Sequence, residues 1–205
     1  MPNDLTAYKL AAPSMRAGDV IAFAGRAVIS YLIDFVSNSD ISHVAVVQSP
    51  LTATSDVLIA ESTIESGISG PQTRPLGATL ANYGPGAQAW LLRLSDQVRA
   101  EIDWSKFNWF IKTSEDGRIK YDTPGLFGFL GRQIPIVGSY ICQSETAKRL
   151  FCSGYATEIF EQSGVLRGIN WSQVSPQDLV EMKLFTGSPV QLIGKPRNIA
   201  RFNTL

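Results

Sequence analysis

Between Phe151 and Gly164 the sequence reads FCSGYATEIFEQSG, which puts a cysteine where a helix is expected to begin. Tyr155, Ile159 and Phe160 recur at helical spacing, and Gly164 stands where a left-handed cap would close the element. Cys152 then belongs to the helix mouth, where unpaired backbone N–H groups and the positive end of the macrodipole favour a thiolate. A thiol nucleophile needs a base, and the chain contains one histidine. His43 heads HVAVV, an apolar, β-branched run that reads as a strand. The other elements can be judged by whether they bring His43 to Cys152. Against this stand the plainer readings, a small buried cysteine and a core histidine.

At 205 residues and 44% hydrophobic content, the chain has ample material for a core, and a single domain over residues 1–205 is expected. Eighteen basic and eighteen acidic side chains cancel, so no global field steers the chain toward nucleic acid or an anionic membrane. Cys142 and Cys152 allow one bridge at most, which is no disulfide framework, and reduced thiols are expected. The first residues lack a basic segment followed by an apolar core, and no later run approaches the roughly 18 apolar residues of a membrane span. The expectation is a cytoplasmic protein with no transmembrane segment.

Arg16–Asp19 reads as a turn into the strand Val20–Phe23, and Ala27–Val36 as a short helix, apolar on several sides and either buried or facing lipid. A polar turn separates the His43 strand from Val57–Glu61, so the two are expected to pair as an antiparallel hairpin. Symmetry about Thr52 sets Glu61 opposite His43, with Cβ atoms about 4.5–5.5 Å apart, close enough to hold the imidazole by its second nitrogen. A slip of one residue would send Glu61 to the other face. From Ser62 to Pro85 the glycines and prolines suggest mostly loop, with a short element near Leu80, forming one wall of a cleft. Ala87–Leu94 reads as a strand, and Ser95 as the cap of one helix running to Lys112. Tyr121 opens a glycine-, proline- and phenylalanine-rich connection, and Ser144 caps a short turn before Cys152. Ser175 and Pro176 start a further helix, and Val190 onward reads as an edge strand with a solvated tail.

With those elements placed, the chain resembles the circularly permuted NlpC-like branch of the papain-fold cysteine hydrolases, and most closely its YiiX/YaeF-like members. The resemblance is carried by Arg16–Phe23, the apolar helix, Ser42-His43-Val44, Ala60-Glu61, Tyr121-Asp122 and Cys152-Ser153-Gly154, with the histidine preceding the cysteine as in the permuted branch. It implies an α+β fold, an antiparallel sheet packed against helices, with Cys152 as nucleophile, His43 as base and Glu61 as orienter. The acidic residue more usual shortly after the cysteine is replaced here by Gly154.

Those residue types support attack on a carbonyl through a thioacyl enzyme, without a cofactor, completed by water as hydrolysis or by an amine or alcohol as acyl transfer. The leading expectation is hydrolysis of an amide, and the resemblance implies a peptide-like substrate such as a cell-wall peptide. The backbone N–H groups of Cys152 and Ser153 are candidate oxyanion donors, and the Tyr121 hydroxyl is a candidate for positioning the carbonyl. Three rival functions remain open. One is a lipase or acyltransferase acting on acyl lipids, and another is a binding module that kept the fold. The third is a zinc site built from His43, Cys152, Cys142 and a carboxylate, although this spacing matches no usual zinc pattern.

Overall fold

Six strands form one antiparallel sheet in the computed structural model, which describes residues 2–25, 41–65, 68–117, 145–171 and 174–205. They are β1 (Val20–Ala24), β2 (His43–Ser49), β3 (Leu58–Glu65), β4 (Ile68–Pro75), β5 (Gln88–Leu92) and β6 (Val190–Ile193), in the spatial order β4-β3-β2-β1-β5-β6. The helices are α1 (Thr6–Ala11), α2 (Leu76–Asn82), α3 (Asp96–Glu101), α4 (Trp104–Glu115), α5 (Glu145–Gln162) and α6 (Pro176–Glu181). The chain is thus α+β. The apolar segment 27–36, Tyr121, Cys142 and Ser144 lie outside the described residues.

Both faces of the sheet are covered, and this explains why VIAFA and HVAVV lack the alternation of a half-exposed strand. Val20, Ala22, Val44, Val46, Ala60, Trp90 and Leu92 join one core with Phe107 and Phe110 of α4, Tyr155, Ile159 and Phe160 of α5, and Leu179 of α6. Ile21, Phe23, Ala45, Val47, Ile59 and Leu91 join a second core with Tyr8 of α1 and Leu76 and Leu80 of α2. Strand β1 lies between β2 and β5, so all five of its residues are buried. No described helix is long and apolar enough to cross a membrane.

Three expectations for local structure need correction. The segment read as mostly loop contains β4 and α2, with β4 paired to β3 along its whole length from Leu58↔Pro75 to Glu65↔Ile68. Pro71 and Pro75 argue against a central strand, but β4 is an edge strand, where a missing N–H need not break a ladder. The single helix after Ser95 is two helices. Ser95 caps α3 through Val98 N, the chain turns extended at Ile102, and Asp103 caps α4 by accepting from Ser105 N and Lys106 N.

The third correction is partial: β6 is an edge strand and most side chains of the C-terminal tail are exposed, as expected, but the tail is also anchored to the core. Trp90 Nε1 donates to Arg197 O at 3.0 Å, Gln177 Nε2 donates to Ala200 O at 2.9 Å, and Ile199 is buried in the first core. The other end signals hold. Gly164 has φ +92° after α5, and Ser175 forms a capping box with Asp178 ahead of α6, with Pro176 at its start.

Candidate active site

Helix α5 starts earlier than its sequence suggests, and this changes the surroundings of Cys152. The helix begins at Glu145, which places Cys152 about two turns inside it. ETAKRL contains no breaker and several good helix formers, so the helix continues straight into the weaker Cys-Ser-Gly triplet. The terminal dipole acts mainly within the first turn, so the helix-mouth account of a thiolate is withdrawn. The N–H groups of Cys152 and Ser153, inside the helix, point to carbonyls one turn earlier and are not free for an oxyanion. Ser153 is fully buried, and its hydroxyl donates to Val174 O at 2.6 Å, tying α5 to the segment that enters α6. Its role is structural.

Gly154 likewise has a packing reason. A Cβ there would lie 3.0 Å from Trp171 Cε3 and 3.4 Å from Trp171 O, so the bare backbone makes room for the indole. No acidic side chain fits at that place without moving Trp171.

His43 is the first residue of β2. Ser42 anchors the strand entry, its N–H and hydroxyl both donating to Phe23 O, at 2.8 and 3.2 Å. The Phe23 ring lies 5.4 Å from the imidazole and is itself stacked on Tyr83 at 4.6 Å, which limits the orientations open to His43.

The β2–β3 register differs from the symmetric hairpin. Val46 pairs with Ala60, and the ladder carries a bulge between Val47 and Ser49. Continued toward His43, this register sets Ala45 across from Glu61, an offset of two residues from the expected pairing. An even slip keeps Glu61 on the same face, and diagonal neighbours remain within reach of long side chains. Glu61 Oε2 accepts a hydrogen bond from His43 Nε2 at 2.8 Å.

The imidazole also hydrogen-bonds the side chain of Cys152. Nε2 is engaged by Glu61, which leaves Nδ1 for the sulfur. The structure therefore brings together Cys152, His43 and Glu61, with α5 packed over β2 and β3. Cys152 is 1% exposed and Glu61 3%.

A fourth group, absent from the sequence reading, completes the chain of contacts: Arg74 of β4 approaches Glu61 Oε1 at 3.3 Å. Its strand was hidden by the prolines. The signal that points to it is Glu61 itself, since a buried carboxylate between an imidazole and the core calls for a further cation.

Burial alone would make His43 less basic. The negative charge and hydrogen bond of Cys152, followed by those of Glu61, outweigh it and raise the imidazole to about 10. Burial likewise works against the Glu61 charge, yet His43 and then Arg74 hold its carboxyl below the ordinary value. Near neutral pH His43 is therefore an imidazolium, paired with the Glu61 carboxylate and facing Cys152.

The folded-state shifts have opposite signs and bound a pH window. The raised His43 adds stability that is complete below its unfolded value of about 6.5. That stability is lost as pH rises toward about 10. The depressed Glu61 adds stability above its ordinary range that is lost on acidification. Urea midpoints measured against pH should thus form a plateau near neutrality with a fall on each side, and Glu61→Gln should weaken the acid fall. An acid limb unchanged in that variant would remove Glu61 as its source.

Among the described residues, no group of three or more His, Cys, Asp or Glu side chains is placed to hold a metal ion. The chain matches no protein-family model and no curated protein.

Proposed function

We propose that the protein is a thiol hydrolase of permuted papain-like, NlpC-like fold that cleaves a peptide-like amide through a thioacyl enzyme. The observation that carries this reading is the continuous contact from Cys152 through His43 to Glu61, with the imidazole held cationic beside the sulfur. Such a pair supplies both a nucleophile and the acid that a poor leaving group requires.

In the first half-reaction the Cys152 sulfur attacks the carbonyl carbon. The S–C bond forms, the C–N bond breaks, and the His43 Nδ1 proton passes to the departing amine. In the second, water adds to the thioacyl carbon and gives its proton to Nδ1. The C–S bond then breaks, releasing the acid and restoring the thiolate–imidazolium pair. Glu61 keeps Nε2 protonated throughout and supports the imidazolium.

Intact-mass analysis after incubation with a mixed set of short peptide amides and acyl-lipid esters tests the proposal. An acyl adduct on Cys152 from the amides, followed by its loss to water, is expected. Adducts from the lipid esters alone would favour a lipase or acyltransferase, and no adduct from either class would leave only a binding module.

Glu61→Gln should fold yet turn over roughly 10- to 100-fold more slowly, about the value of one hydrogen bond to a charged group. The amide can still accept from Nε2 but carries no charge to support the imidazolium. Unchanged kinetics would remove Glu61 from the mechanism.

A further inference from the structure

Glu61 is divided between two cations: Oε2 faces His43 Nε2 at 2.8 Å, and Oε1 faces Arg74 at 3.3 Å. The carboxylate is 3% exposed, whereas Arg74, on the edge strand, is 32% exposed. In the resting site the imidazolium shares the neutralisation of Glu61 with Arg74. Under the thiol-hydrolase reading, on which the role of Arg74 rests, that task falls to Arg74 alone during turnover, because His43 does not then remain charged.

Once the Nδ1 proton has left with the amine, the imidazole is neutral while the carboxylate stays buried. A buried carboxylate that loses its counter-charge takes up a proton readily. A proton drawn from solvent onto Glu61 would turn it from an acceptor into a donor. The imidazole would answer with its Nε2 lone pair and carry its proton on Nδ1. That is the wrong tautomer, because Nδ1 must accept a proton from the hydrolytic water. A guanidinium keeps its charge at any working pH.

We infer that Arg74 is a positioning residue for deacylation: it holds Glu61 as a carboxylate while His43 is neutral, and so keeps Nδ1 open for water. Arg74 acts through Glu61. The strand pairing supports that geometry. Arg74 lies opposite Ile59, two residues from Glu61 along β3, a diagonal relation that only a long side chain spans.

The test compares wild type, Arg74→Gln and Arg74→Lys with p-nitrophenyl acetate as the acyl donor, reading the nitrophenol burst, the steady-state rate and the intact mass. Arg74→Gln should keep its burst and lose roughly 10- to 100-fold in steady-state rate, the scale of one charge-assisted hydrogen bond, with acetyl-enzyme accumulating. Arg74→Lys should recover most of the loss. Burst and steady state falling together, or neither falling, would overturn the inference.

A second measurement does not depend on turnover. The chain has one histidine, so its ring nitrogens can be read directly by ¹⁵N NMR. Cys152→Ala should show the Nε2–H tautomer, and Cys152→Ala combined with Arg74→Gln should show the Nδ1–H form. An unchanged tautomer overturns the inference whatever the kinetics. If wild type forms no acetyl adduct, the hydrolase reading fails, and the tautomer result alone decides whether Arg74 governs Glu61.

Discussion

Cys152→Ala should bring turnover to background and abolish the acyl adduct, a loss on the order of 10⁶-fold by the scale of nucleophile removal in covalent hydrolases. The remaining thiol is Cys142, so the variant also separates the two cysteines. An adduct that persists on Cys142 would move the nucleophile and overturn the site. The same substitution has an electrostatic readout. The charge and hydrogen bond of Cys152 are the leading influences that raise His43 against the opposing effect of burial. Without the sulfur, burial regains weight, and the imidazole should titrate lower than its wild-type value of about 10. A histidine titration identical in both proteins would mean that the two side chains do not interact.

His43→Ala should cost roughly 10²–10⁴-fold in turnover, the usual contribution of a positioned acid–base group. It should also slow alkylation of Cys152 near neutral pH. Cys152 lies about two turns inside α5, where the helix terminus gives a thiolate little support, so the imidazolium has a large share in it. The substitution is not silent for stability. It leaves the Glu61 carboxylate, 3% exposed, with Arg74 but without its closer partner, a loss of about 1–3 kcal/mol. His43→Gln addresses this, because its amide can still donate to Glu61. It should keep the thermal transition nearer to wild type and still lose the reactivity. If His43→Gln folds and alkylates with the wild-type pH profile, the Cys152–His43 pair does not exist.

What the sequence revealed about the site depended on parity more than on exact register. His43 and Glu61 were legible together because a strand repeats every two residues, so an even error in the hairpin left both side chains on one face. Nothing in the loop between Ser49 and Leu58 announces the bulge that moved the ladder. The start of α5 was only half legible: Ser144 marked a short turn of helix ahead of Cys152, but Cys-Ser-Gly imitates an entry signal, so one continuous helix read as two elements. Arg74 was concealed for a different reason. Prolines mark loops wherever both strand edges need hydrogen bonds, and only knowing that β4 lies at an edge reverses that reading. The central strand was easy to read, since VIAFA is apolar on both sides and only a doubly covered sheet accommodates it.

The order of elements along the chain has a consequence for biosynthesis. His43 and Glu61 lie on β2 and β3, while Cys152 arrives with α5, after β4, β5 and three more of the described helices have been made. A nascent chain released as far as β5 could complete most of the sheet, yet it would hold an imidazole and a carboxylate with no sulfur to act on. The proposed reactive centre therefore closes only through a contact between segments far apart in sequence, late in synthesis. Fragments ending before Glu145 lack Cys152 altogether. An N-terminal fragment mixed with a C-terminal one beginning ahead of α5 should regain acylation only when both are present, a complementation assay in which neither half alone reacts faster than an ordinary free thiol.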